Sequence, residues 1–125
     1  ALKTFSYFDT GNNYREETER FYHGFVLGLL VEFSRDYIVT SNRESGLGRY
    51  DVMIEPKDKQ KNAYILEFKV FNKKYEKTLQ DTVKVALEQI EHKKYETILI
   101  ERGIPAEHIY KYGFAFEGKR VLIGK

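Results

Sequence analysis

Cysteine is absent from the chain. That excludes a disulfide and a thiolate metal site, and it suits a reducing, cytoplasmic location. Proline is scarce, with only Pro56 and Pro105. The excess of positive charge is only +2, far less than strongly basic nucleic-acid modules display, so local clustering must reveal any polyanion partner. Long hydrophobic runs are missing as well. The most apolar stretch, FYHGFVLGLLV at 21–31, has about half of the ~20 residues a bilayer span needs and includes Tyr22 and His23, so it reads as a buried helix. No basic start, apolar run and cleavage site follow one another at the N-terminus, which gives no sign of a signal peptide or membrane anchor. The three histidines, His23, His92 and His108, lack metal-ligand spacing and read as core or surface residues.

What is present is a globular balance. Of 125 residues, 42% are hydrophobic and 32% charged, with ten Tyr and nine Phe, enough for one core and one domain over 1–125. The chain starts without Met, and we expect it to be a piece of a longer protein. Asn13 and Glu16 resemble a capping box ahead of a helix over 14–34. Within it Gly24 and Gly28 share one face, where a neighbouring element is expected to pack closely. Strands are expected at 37–40, 49–55 and 63–71, the first two separated by the glycine-containing loop SNRESGLG at 41–48. Leu79, Val83, Ala86, Leu87 and Ile90 recur at helical spacing, predicting an amphipathic helix over about 75–94. A further helical turn or two at 95–103 is ended by Gly103 and Pro105, and two strands hinged at Gly118 follow. Helix, three strands, helix and strands in one chain make an α/β fold.

The chemistry concentrates on two strands. Alternation puts Glu67 and Lys69 on one face of their strand and Leu66, Phe68 and Val70 on the other. Asp51 interrupts an apolar alternation on the preceding strand. If those strands pair, Asp51 and Glu67 meet, and two carboxylates together repel. A hard divalent cation resolves that repulsion, with the Phe68 backbone carbonyl placed to be a third protein ligand. On spacing alone a surface salt bridge between Glu67 and Lys69, with Asp51 an ordinary acid, is the favoured reading of the pattern.

The segments SYFDTG, FYHGFVLGLL, SNRESGLGRYD, ILEFKV, ALEQIEHKKY and YGFAFEGKRV, in order over about 6–122, resemble the PD-(D/E)xK nuclease domain at the C-terminal end of AAA-ATPase-like bacterial proteins. The resemblance implies a restriction-endonuclease-like core, a mixed central sheet flanked by helices. It implies phosphodiester hydrolysis with Mg²⁺ or Mn²⁺, with DNA as the expected substrate and an ATPase-like region upstream in the same polypeptide. Asp51 corresponds to the first metal-binding acid, Glu67 to the second and Lys69 to the lysine. Glu19 resembles the helix acid, a further metal ligand, although at the start of its helix it equally suits the helix dipole. Gln89 occupies the place of a glutamine on the helix after the lysine strand, with Tyr95 at the end of that segment.

Nucleic-acid contacts are expected from Arg43 and Arg49 around the glycine loop, Lys73 and Lys74 after the lysine strand, and Lys93 and Lys94 on the helix. Lys119 and Arg120 form another pair. Each alone reads as a solvated charge, and their value depends on surrounding one cleft. The rival reading is a catalytically inactive module that binds nucleic acid or regulates the attached ATPase. Oligomeric state is open, a homodimer included. Two repelling acids also predict that Asp51→Asn leaves the metal-free protein as stable as the wild type or more so.

Overall fold

Among the described residues, six strands and three α-helices make up the fold in the computed structural model. It describes residues 3–6, 14–44, 49–118 and 120–125, and the side chains of 20, 21, 23–43, 49–118 and 120–125. The strands are Lys3–Ser6 (β1), Tyr37–Glu44 (β2), Arg49–Pro56 (β3), Ala63–Val70 (β4), Ile109–Glu117 (β5) and Arg120–Gly124 (β6). The helices are Tyr14–Phe33 (α1), Leu79–His92 (α2) and Tyr95–Glu101 (α3). The strands form a single mixed sheet in the order β1-β6-β5-β4-β3-β2. Only β4 and β5 run parallel, because α2 and α3 intervene between them and carry the chain back, as a parallel pair requires. The expected mixed α/β sheet flanked by helices is therefore what forms.

Strand alternation divides the sheet into two differently used faces. Val52 and Ile54 of β3, Leu66 and Phe68 of β4, and Phe114 and Phe116 of β5 form one core with Val26 of α1. Its rings interlock edge to face, with Phe68 5.6 Å from Phe25 and 4.8 Å from Phe114, a geometry favoured by the ring quadrupoles. The intervening positions face α2 and α3. There Met53 and Ile65 pack with Ile90, Leu99 and Ile104, while Asp51, Glu55, Glu67 and Lys69 lie buried on the same face.

Helix α2 starts later than its apolar spacing suggests. Thr78 caps it, accepting from the Asp81 N–H while the Asp81 side chain accepts from the Thr78 N–H, so residues 72–78 stay outside as a turn. The helix stops at Lys93, whose backbone is extended, and α3 restarts beyond Lys94. Positive φ at Gly103 (96°) and Gly118 (54°) ends α3 and turns β5 into β6, as their sequence positions suggest.

Three expectations need amendment. Strand β2 runs to Glu44 rather than 40, because its pairing with β3 continues to Glu44 opposite Arg49. Strand β1, against β6, was not expected. Gly24 and Gly28 have nothing within 4 Å of where a Cβ would stand, so among the described residues no element packs closely there. The close approach is at Gly113 instead, where a Cβ would lie 2.9 Å from the Val83 carbonyl oxygen of α2. Residues 45–48, on the expected glycine loop, and 13, in the expected capping box, lie outside the described residues. Among the described residues no helix is long and apolar enough to cross a membrane.

Candidate active site

The antiparallel register of β3 and β4 sets Asp51 directly opposite Glu67, where side chains on one face lie about 5 Å apart at Cβ. Both acids are buried, Asp51 at 2% and Glu67 at 0% exposure, so neither belongs to a solvated surface salt bridge. Lys69 follows on the same face, opposite Arg49. Alternation alone put Glu67 and Lys69 together, and the hairpin adds Asp51.

Burying these charges is costly unless each finds partners. For Asp51 they come from the junction of α2 and α3. The Tyr95 hydroxyl donates to Asp51 Oδ1 at 2.7 Å, and the Lys93 ammonium forms an ion pair with Oδ2. Burial first, then the bond to the Asp51 carboxylate, push the Tyr95 phenol up to about 12, with the Asp51 and Glu67 charges adding to the rise and Lys93 opposing it. Tyr95 is therefore a neutral donor at neutral pH. Lys93 also changes an expectation. Because it pairs with Asp51, Asp51→Asn should now destabilise the metal-free protein, since a charge-assisted hydrogen bond is lost.

Lys69 is held separately. Its Nζ lies 2.7 Å from Glu76 Oε2 and 3.3 Å from the Val70 carbonyl oxygen. Burial raises the Glu76 pKa, but the Lys69 ammonium, the Asn72 N–H and the Thr82 hydroxyl together hold it below its ordinary value. Glu76 was missed in the sequence, where it falls at the start of the helix expected over about 75–94 without any local signal. Lys93, expected to contact nucleic acid, reaches Asp51, with its side chain 21% exposed.

The other expected residues spread out. Gln89 is half-buried on α2, one turn before Lys93, and its carbonyl accepts the Lys93 N–H at 3.0 Å. Phe68 stands between Glu67 and Lys69 with its ring in the opposite core. Arg49 is half-buried on the acids' face of the sheet. Arg43 lies opposite Tyr50 and so on the α1 face, away from them. Lys73, Lys74 and Lys94 are exposed, with the Lys74 ammonium 5.4 Å from the Tyr75 ring centroid. Arg120 pairs with Glu117. The Glu19 side chain and Lys119 lie outside the described residues.

Two opposed carboxylates are a hard oxygen donor set. Among the described residues no group of three or more His, Asp or Glu could hold a metal ion. Mg²⁺ does not demand such a cage, since it is usually held by one or two carboxylates together with waters and substrate phosphates. The pair Asp51 and Glu67 fits that pattern. A family model described as the PD-(D/E)XK nuclease superfamily matches residues 17–125. Nothing matches among curated proteins or solved structures.

Proposed function

Because the chain belongs to the PD-(D/E)XK nuclease superfamily, we propose that it is a Mg²⁺- or Mn²⁺-dependent nuclease domain that hydrolyses phosphodiester bonds in DNA. The observation that supports this best is the buried register pair Asp51 and Glu67 with Lys69 on the same face. A sheet gains nothing in stability from opposing two buried acids, whereas a divalent cation and a phosphodiester need them together.

In this reading Asp51 and Glu67 hold the cation, with the Phe68 carbonyl as a third ligand and Glu19 as a further one. When bound, the cation supplies Lewis acidity toward the scissile phosphate. The Lys69 ammonium orients the attacking water and offsets negative charge that grows on the phosphate oxygens. The Tyr95 hydroxyl fixes the Asp51 carboxylate in place through Oδ1, and Gln89 borders the same end of α2. Arg49, Lys73, Lys74 and Lys94 contact phosphates without reading sequence. The quoted resemblance also supports an ATPase-like region upstream in the same polypeptide.

The test is cleavage of single-stranded, double-stranded and branched DNA with and without Mg²⁺ or Mn²⁺. Asp51→Asn and Glu67→Gln should each abolish cleavage yet leave DNA binding largely intact, because metal ligation and phosphate contact are separate tasks. Wild-type activity in both variants would refute the site. Metal-independent DNA binding with no cleavage of any substrate would favour the inactive binding module.

A further inference from the structure

The turn between β4 and α2 contains an acid that the reaction described above does not use. Glu76 stands among exposed Lys73, Lys74 and Lys77, yet it is only 6% exposed itself. Three donors converge on its carboxylate. Lys69 Nζ reaches Oε2 at 2.7 Å, while the Asn72 N–H and the Thr82 hydroxyl both reach Oε1 at 2.9 Å. Thr82 is fully buried on α2. Thus one carboxylate ties together the end of β4, the turn and the first turns of α2.

A buried ion pair is poor value as a staple, since its desolvation cost can cancel the Coulomb gain and a well-packed apolar contact joins a turn to a helix as well. What it does provide is direction. An unconstrained lysine has a flexible stem with four rotatable bonds and a point charge at the end. The Glu76 carboxylate, itself fixed on its other oxygen, gives that charge one position on the sheet face that carries Glu67. We propose that Glu76 is a positioning residue for Lys69, with Thr82 fixing Glu76 in turn, so that the Lys69 ammonium is preorganised toward the reacting phosphate. This rests on the nuclease reading of the Asp51–Glu67–Lys69 site.

The two oxygens of Glu76 separate positioning from stapling. Glu76→Gln keeps a carbonyl oxygen for Asn72 and Thr82 but places an amide NH₂ against Lys69, where it cannot accept a hydrogen bond. Its kcat should fall roughly 10-fold to 100-fold, as misplacement of a catalytic group by about 1 Å does, with KM and the metal concentration for half-activity unchanged. In a Lys69→Ala background the same substitution should cost no further kcat, because the group it positions is gone. Glu76→Asp retains the charge that compensates Lys69 but draws it back by a methylene. It should therefore stay folded with reduced kcat, which keeps the test decisive if Glu76→Gln does not fold. Wild-type kcat in Glu76→Asp, or an equal loss from Glu76→Gln with and without Lys69, would overturn the positioning role and leave the nuclease reading standing. If the wild type cleaves no substrate with either metal, the nuclease reading fails first and this role falls with it.

Discussion

Replacing Lys93 by methionine keeps most of its aliphatic stem but removes the charge that neutralises Asp51, and it should tighten divalent-metal binding. A cation that takes the Asp51 Oδ2 held by Lys93 would lie no more than about 5 Å from the ammonium bonded to that oxygen, given ligand distances near 2.1 Å and ion-pair distances near 2.8 Å. Between +2 and +1 charges at that separation the repulsion is about 7 kcal/mol at an effective dielectric constant of ~20. A metal on Oδ2 therefore displaces Lys93 from it, and the Lys93 side chain, 21% exposed, has solvent to leave into. The loss it incurs is that of a charge-assisted hydrogen bond, about 1.5–3 kcal/mol, with the lower end appropriate to a partly exposed partner. A penalty near 1.5 kcal/mol is roughly tenfold in Kd. Lys93→Met should thus bind Mn²⁺ about tenfold more tightly by titration calorimetry. Its metal-free Tm should fall, because Asp51 remains buried with Tyr95 alone of the two donors. An unchanged or weaker Mn²⁺ affinity would refute the competition and place the metal away from Asp51 Oδ2.

Acid stability should report on Glu76. Its folded pKa is lowered, so its contribution is present above the unfolded value near 4.5 and is lost as pH falls through the folded value. The Tm gap between wild type and Glu76→Gln should accordingly narrow on acidification from pH 7 to 3, and a constant gap would contradict the ion pair. Gly113→Ala would put a methyl 2.9 Å from the Val83 carbonyl oxygen, and overpacking of this kind costs about 1–3 kcal/mol. Denaturant unfolding should show that loss, and none would mean α2 is free to lift. DNA affinity should fall steeply with salt, and replacing Lys73 and Lys74 together by glutamine should make a plot of log K against log salt shallower by up to about 2, roughly one per phosphate contact. An unchanged slope would assign the phosphate contacts to other cations.

The sequence made the faces of the sheet legible because strand alternation is local. Glu67 and Lys69 had to share a side, Phe68 had to enter the opposite core, and the turn at 57–62 made Asp51 a natural partner. Helix periodicity located α2, although the capping pair Thr78 and Asp81, not apolar spacing, fixed its start. What stayed hidden were contacts between distant segments. Lys93 reads as one more surface lysine until the helix breaks there and turns it onto Asp51. Glu76 reads as a polar residue in the first turn of an expected helix until Lys69 and Thr82 close over it. Gly24 and Gly28 misled in the opposite sense, since small residues announce room for a neighbour without supplying one, whereas Gly113 meets α2 closely. Resemblance supplied the identity of the acids and lysine, but not the groups that hold them.

The strand order also has a temporal meaning. Strands β2, β3 and β4 pair with their neighbours in sequence, so Asp51 and Glu67 belong to one hairpin. Lys93 and Tyr95 come from the crossover at 71–108, which must close before β5 can lie parallel to β4. Short loops close at lower entropic cost and local pairings precede distant ones. The two acids therefore meet before the groups that quiet them arrive. Salt screens such a half-assembled pair, so low ionic strength should slow refolding of the wild type more than that of Asp51→Asn. Before they could serve any chemistry, the two acids stand as an obstacle to assembly.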